Sequence, residues 1–271
     1  MISYLLVGHF AKDIIIKDPL SCKIGGGVYY SGIIARKLGA DVKVLSSYSK
    51  EMEEDVLSTS FNISGIPSAR TTTFENIYQG EERVQYWHES AEEINEKAAG
   101  ALSSKDKKIL KGNSIIQFAP IADEVKKDIL EAVEGEIVGA TLQGWLRGRE
   151  DDGKVFFNHW KEYKEFLPLL DIAIASEEDV RCDYEMIKEY SKYAKLLVIT
   201  RGGKGCSVIE KGGSKEYSPK KVIQGKDYTG AGDAFAAGYL MEYYRTRDPY
   251  ASAIKANDIA AEHIEREEAR F

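Results

Sequence analysis

The sequence predicts an α/β fold in which a mostly parallel central sheet is flanked by helices on both faces and carries a small β lid. Three observations lead there. Short apolar runs alternate with segments of helical period over most of the chain, which is the pattern of strand–helix units. The runs are apolar on consecutive residues rather than on every second one, as in strands covered on both faces. One interval, 71–88 (TTTFENIYQGEERVQYWH), breaks the alternation. It is rich in Thr, Tyr, Phe and Val about a Gln-Gly turn, and reads as an antiparallel hairpin. The length of 271 residues suits a single domain, 1–271, with a lid from about 10–20 and 65–90.

In chain order, 2–8 (ISYLLVG) is a buried strand, and 13–17 (DIIIK) is a second that can pair with the hairpin. Gly25, Gly26 and Gly27 then break the chain. Residues 29–38 form a helix ended by Gly39, a residue suited to the left-handed turn after a helix. A strand follows at 42–45, and after the hairpin strands are expected at 114–118, 137–142, 171–175, 196–200 and 205–209. Helices are expected at 122–133, 160–167, 183–193, 232–245 and 249–266.

Composition narrows the function. Net charge is −7 with acids and bases interspersed, so there is no basic stripe for a nucleic-acid backbone. No apolar run approaches the roughly 20 residues that span a bilayer, and MISYLLVGHF reads as a strand rather than a leader. The expected location is the cytoplasm. Cys22, Cys182 and Cys206 are far apart and form no CxxC pair, which suggests neither zinc nor a disulfide framework.

The chemistry lies in DYTGAGDAF, 227–235. Gly230 and Gly232 bracket Ala231, and Asp233 opens an amphipathic segment. Glycines let a ligand approach backbone amides, and a helix N-terminus adds unsatisfied N–H groups and a positive dipole end, together an anion site suited to phosphate. A carboxylate there repels phosphate unless it takes a proton beside it. A hydroxyl attacking a phosphoryl group needs such a base, and amides for the developing charge. The structural alternative is Asp233 as an ordinary N-cap after a glycine turn.

DYTGAGDAFAAG resembles the late signature of the ribokinase-like (PfkB) family of carbohydrate and nucleoside kinases. GGGVYYSGIIARKLGADVKVLSS is similar to its glycine-rich first signature, and TRGGKG (200–205) to its nucleotide loop, in the same order. The resemblance implies an ATP-dependent phosphotransferase using Mg2+, with Asp233 as general base and Gly230, Ala231 and Gly232 supplying the anion-hole amides. It implies a nucleotide site of Thr200, Gly202, Lys204, Gly205, Thr229 and Asn257, the last close to the adenine. It places Asp13 on the acceptor and makes Gly25 and Gly26 the hinge of a lid that excludes water. Asp13 as a turn acid, Lys204 as a solvated lysine, Asn257 as a surface residue and the early glycines as a plain loop are the structural counterparts.

The sequence also departs from the family. The usual Asn-x-x-Glu of the magnesium site is replaced by Ser176-Glu177-Glu178-Asp179, leaving Asp179 and Glu178 as hard oxygen donors. Tyr30 stands where ribokinases carry a substrate-binding Asn, which argues against ribose. QGWLR sits where sugar kinases often carry Asp-x-Asn-x-Arg and keeps only Arg147 of it, for the substrate or its phosphate, with Gln143 as a further side chain for a hydroxyl-rich substrate. With GHFAKD, GGGVYYS, TTTFE and FAPIADEV, these segments look most like the inositol-kinase branch. The resemblance thus implies a small polyol or sugar as acceptor, myo-inositol foremost, and a monomer or a lid-mediated homodimer. A phosphorylated sugar would find only Arg147, Arg83 and Lys12 as cations, whereas a nucleoside would find Tyr29, Tyr30 and Phe10 for stacking. A non-catalytic sensor on the same fold stays open.

Overall fold

The computed structural model describes residues 1–16, 20–79, 82–103, 114–211, 213–223 and 228–268. Strands run in chain order as β1 (Ile2–Val7), β2 (Ala11–Ile16), β3 (Ser21–Gly25), β4 (Ala40–Tyr48), β5 (Asn62–Pro67), β6 (Thr73–Gln79), β7 (Glu82–Glu89), β8 (Ser114–Phe118) and β9 (Ile137–Thr141). They continue as β10 (Arg147–Arg149), β11 (Val155–Phe157), β12 (Ile172–Ser176), β13 (Leu196–Thr200), β14 (Cys206–Glu210) and β15 (Gly213–Tyr217). Nine of them form one sheet in the order β15-β14-β13-β12-β9-β8-β1-β4-β5. The pairs from β5 across to β13 are parallel, and β14 and β15 are antiparallel.

The core explains the apolar runs. Tyr4, Leu5, Leu6 and Val7 of β1 are all fully buried. Tyr4 and Leu6 point into a cluster with Val28, Val44, Phe235, Tyr239 and Leu240, while Leu5 and Val7 point into one with Leu45, Phe118, Trp145 and Leu167. A strand with a core on each side has no solvent face to alternate towards. On the first side the helices Gly27–Lys37, Ala231–Thr246 and Pro249–Glu268 pack together.

The lid is a four-stranded sheet, β3-β2-β6-β7. The expected hairpin is β6–β7, and β2 pairs with β6 in parallel. The third partner, β3, was not expected from the sequence and pairs antiparallel with β2. A small hairpin, β10–β11, joins through a bridge between Tyr86 and Lys154. Lys17 of the expected second strand, Gly80 of the hairpin turn and Asp227 at the head of the late motif lie outside the described residues.

Two helices are shorter than expected. In place of 122–133, only Lys127–Ala132 is helical. The buried Glu124 carboxylate takes the amides of Ile121, Ala122 and His9, and Asp123 adopts a left-handed φ of 54°. A side chain that captures upstream amides competes with the helix for them. In place of 160–167 the helix is Tyr163–Phe166, followed by a 3-10 turn through Pro168.

Candidate active site

The parallel strands end on one edge of the sheet, where ligand sites of open α/β sheets form. From that edge rise the late glycine turn, the Gln143–Leu146 turn after β9 and the Ser176–Asp179 turn after β12. The lid lies above. The helix Ala231–Thr246 begins after Gly230, whose φ of 78° is left-handed. A Cβ on Gly230 would also stand 2.5 Å from the Tyr30 ring, so glycine is required twice over. Gly232 is exposed with open space at its α-carbon. Its amide belongs to the first helical turn, where no partner exists four residues back. Ala231 differs from expectation, because its N–H donates to the Tyr228 carbonyl at 3.1 Å. The amides left open to an anion are therefore those around Gly232, and not those of all three residues.

Asp233 is half-buried in the first turn of that helix, and burial of its carboxyl pushes it up to about 7, with Arg147 opposing and Asp179 reinforcing the shift. One carboxylate oxygen lies close enough to Gly27 that a Cβ there would meet it at 3.1 Å. Behind it runs a buried relay that the sequence reading missed. Tyr4 donates to Gln117 Oε1 at 2.7 Å, Gln117 Nε2 donates to Ser31 Oγ at 3.0 Å, and Ser31 donates to the Asp233 carbonyl at 3.2 Å. Gln117, a polar residue inside the apolar run SIIQF, was the only signal of it.

Arg147 is the centre of the cluster. Its guanidinium lies 5.5 Å above the Phe74 ring and donates to the Ile121 carbonyl at 3.3 Å. Burial and the nearby Arg83 lower it to about 10, against the pull of Asp179, Asp13 and Asp233. It still carries its charge at neutral pH, in reach of three carboxylates. Asp179 is held tightly: Gln143 Nε2 donates to Oδ1 at 3.1 Å and the Ser176 amide to Oδ2 at 2.9 Å, while Ser176 Oγ accepts from the Asp179 amide. Gln143 is thereby committed to Asp179. Glu178 is exposed. Among the described residues no three His, Cys, Asp or Glu side chains converge as a metal cage. That donor set suits a hydrated Mg2+ carried on donor phosphates, with carboxylates reaching its waters.

On the lid, Asp13 has a raised pKa because of burial, opposed by Lys23, Arg147, Arg83 and a hydrogen bond from Asn76. Gly25 makes room for it, since a Cβ there would fall 1.9 Å from Asp13 Oδ2. Gly25 ends β3 and Gly26 caps the helix Gly27–Lys37, the point where the lid returns to the core. A second tie was also missed. His9, fully buried, accepts from the Thr72 hydroxyl at 2.7 Å and donates to the Glu92 carbonyl at 2.9 Å, joining the segments that enter and leave the lid.

Three expected residues have close partners within the protein. Tyr30 is 8% exposed; its ring fills the space behind Gly230, edge-on to His263, which donates to the Thr229 carbonyl at 3.0 Å. It braces the glycine turn. Asn257 is 6% exposed and donates to the Tyr217 carbonyl at 3.3 Å, so its amide faces the β14–β15 backbone. Gly205, at a left-handed φ of 91°, lets the chain pass close to the end of β15, as a Cβ would strike the Tyr217 carbonyl at 1.9 Å. Thr200, Gly202 and Lys204 lie together at the end of β13, the glycine and lysine exposed.

Comparison with known proteins agrees with this geometry. The model of the pfkB family carbohydrate kinases matches residues 33–271. A cytidine kinase of Thermococcus kodakarensis is 25% identical over 269 residues, covering 91% of this chain and 90% of that enzyme. A pyrophosphate-dependent kinase of the ribokinase family, solved with a pyrophosphate analog and myo-inositol, superposes with a TM-score of 0.79 at 19% identity over 96% of this chain and 94% of its own. The nucleoside kinase of Methanocaldococcus jannaschii gives 0.71 at 18% identity over 98% and 92%. With the glycine turn, its half-buried acid and the lidded parallel sheet in place, the match over most of the length assigns the chain to the pfkB carbohydrate kinases, as a sugar or nucleoside kinase.

Proposed function

We propose that this kinase phosphorylates a hydroxyl of a small neutral polyol, with myo-inositol as the acceptor and ATP with Mg2+ as the donor. The observation that carries the reading is the lid face around Asp13. It offers a carboxylate beside the amide of Asn76, a surface of hydrogen-bonding groups suited to hydroxyls. Asp13 and Asp233 both interact with Arg147, so an acceptor held by Asp13 would lie beside the base.

In this mechanism Asp13 orients the acceptor and Asp233 takes the proton from the attacking hydroxyl. With a pKa of about 7 it is a far better base than an ordinary carboxylate and is still ionised in large part near neutrality. Arg147 and the amides around Gly232 stabilise the charge on the transferred phosphoryl group. Bound Mg2+, carried on the donor and reached through its waters by Asp179 and Glu178, would neutralise charge on the phosphates. Lid closure over the cleft excludes competing water.

The second reading is a nucleoside acceptor, favoured by the cytidine kinase among the relatives. Its expected stacking surfaces are largely withdrawn, since Phe10 is fully buried and Tyr30 is packed behind the glycine turn. The deciding experiment measures product formation from myo-inositol, ribose, fructose, fructose 6-phosphate, adenosine and cytidine, each with ATP or pyrophosphate. Turnover of myo-inositol above the others supports the polyol reading. Preference for cytidine or adenosine overturns it, and binding without turnover on any acceptor points to a sensor.

A further inference from the structure

The loop after β8 holds a buried carboxylate, Glu124, 3% exposed. Three backbone amides meet it. Oε1 accepts from His9 at 2.9 Å and Oε2 from Ala122 at 2.8 Å, while the Ile121 amide lies between the two oxygens at 3.2 and 3.0 Å. Hydrogen bonds to a carboxylate are stronger than those between neutral groups, so this loop is tied down from within.

One of these bonds leads to the cleft. The Ala122 N–H and the Ile121 C=O belong to the same planar peptide and point in opposite directions. The N–H donates to Glu124, and the C=O accepts from Arg147 Nη1 at 3.3 Å. A carboxylate on one side of the peptide and a guanidinium on the other polarise it in the same sense, and each bond strengthens the other. Ile121 and Ala122 are 5% and 6% exposed, so little water competes.

The peptide is also fixed against the turn that carries Arg147. Asp123 donates to the Gly144 carbonyl at 3.1 Å, and Trp145 Nε1 donates to the Val125 carbonyl at 2.8 Å. Gly144 passes so close that a Cβ there would stand 2.4 Å from the Ile121 nitrogen. Arg147 is drawn by Asp13, Asp179 and Asp233 at once, and attraction to several acids does not by itself choose one place for a guanidinium. A directed acceptor on a rigid peptide does.

We propose that Glu124 is a positioning residue for Arg147, holding the guanidinium in place through the peptide between Ile121 and Ala122. The proposal rests on the reading that Arg147 stabilises the transferred phosphoryl group. Glu124 touches no reactant and acts through Arg147.

The first test needs neither acceptor nor donor. It follows the backbone amides of the full chain by NMR in the wild type and in Arg147→Met. Ile121 and Ala122 both donate to Glu124, but only the Ala122 N–H shares its peptide with the carbonyl that Arg147 reaches. Loss of the guanidinium should weaken the Ala122 bond and move its proton upfield, with a smaller change at Ile121. No change at Ala122, or an equal change at both, overturns the proposal.

Kinetics with the best acceptor of the panel supply the second test. Glu124→Gln should lower kcat about tenfold, as for loss of one bond to a charged group. In an Arg147→Met background the same substitution should have no further effect, because nothing is left for it to act through. A merely structural role lowers kcat by the same factor in both backgrounds and overturns the proposal. An unchanged kcat in Arg147→Met overturns the reading on which the proposal rests. A lowered kcat there with none in Glu124→Gln overturns only the role of Glu124. If Glu124→Gln does not fold, the Ala122 amide in Arg147→Met decides.

Discussion

Asp13 stands on a lid strand among Lys23, Arg147, Arg83 and Asn76, whereas Asp233 opens a core helix with Arg147 on one side and Asp179 on the other. Both carboxyls are raised by burial. At Asp13 three cations and an amide oppose that rise. At Asp233 a single cation opposes it and a second acid adds to it, and the carboxyl reaches about 7. Two residues of one type thus meet different surroundings, cations and an amide at Asp13 and a second acid at Asp233. Neighbouring charge and hydrogen bonding, not residue identity, make the division.

The largest break in this comparison comes from Asp233→Asn. It removes the base and keeps the shape, so kcat should fall by roughly 10²–10⁴-fold with the fold intact. Retained turnover in a steady-state assay refutes the assignment. Asp13→Asn should act on binding instead, raising acceptor KM by about 10-fold or more with a smaller change in kcat. Equal loss of kcat in both variants erases the proposed division of labour.

The pH dependence sharpens it. An acid that works as a base is active when deprotonated, so kcat/KM should rise with pH through about 7 and level off above it. Asp179 contributes to raising Asp233. Asp179→Asn should therefore move that acid limb to lower pH, whatever it does to the maximum rate. A limb that stays in place shows that Asp179 does not act on Asp233 electrostatically.

The smallest effect is on stability. The folded Asp233 has a pKa raised from 3.8 to about 7, so the native state binds the proton more tightly than the unfolded chain. The penalty for ionising it begins as pH rises through the unfolded value and is complete above about 7. Asp233→Asn should accordingly be more stable than the wild type at pH 8 by about 1–2 kcal/mol, a figure reduced for solvent at the open cleft, and equal to it near pH 3.5. Thermal unfolding at the two pH values measures the difference.

The late glycine motif and its acid were legible because everything that defines them is contiguous. Gly230, Gly232 and Asp233 make a left-handed turn followed by a helix start, and local backbone chemistry is written in neighbouring residues. The hairpin 71–88 was legible for the same reason. The partners of Tyr30 and Asn257 were not legible, because a helical position does not reveal what crosses its far side. Tyr30 meets a glycine 200 residues later, and Asn257 a strand carbonyl 40 residues earlier. The missed strand β3 (Ser21–Gly25) is short, polar at Lys23, and becomes a strand only because β2 offers an edge to it.

By itself, the sequence determined the alternation of buried strands and helices, the lid hairpin, and the glycine turn with its acid, since periodicity and turn chemistry act over a few residues. Only the tertiary structure decided which groups surround Asp13 and Asp233, that the Ala231 amide is occupied, and that Tyr4, Gln117 and Ser31 anchor the backbone of Asp233 from behind. Strand register and burial bring those residues together across as many as 202 positions of chain, and both the desolvation and the charge partners that set a pKa exist only after the chain has closed on itself.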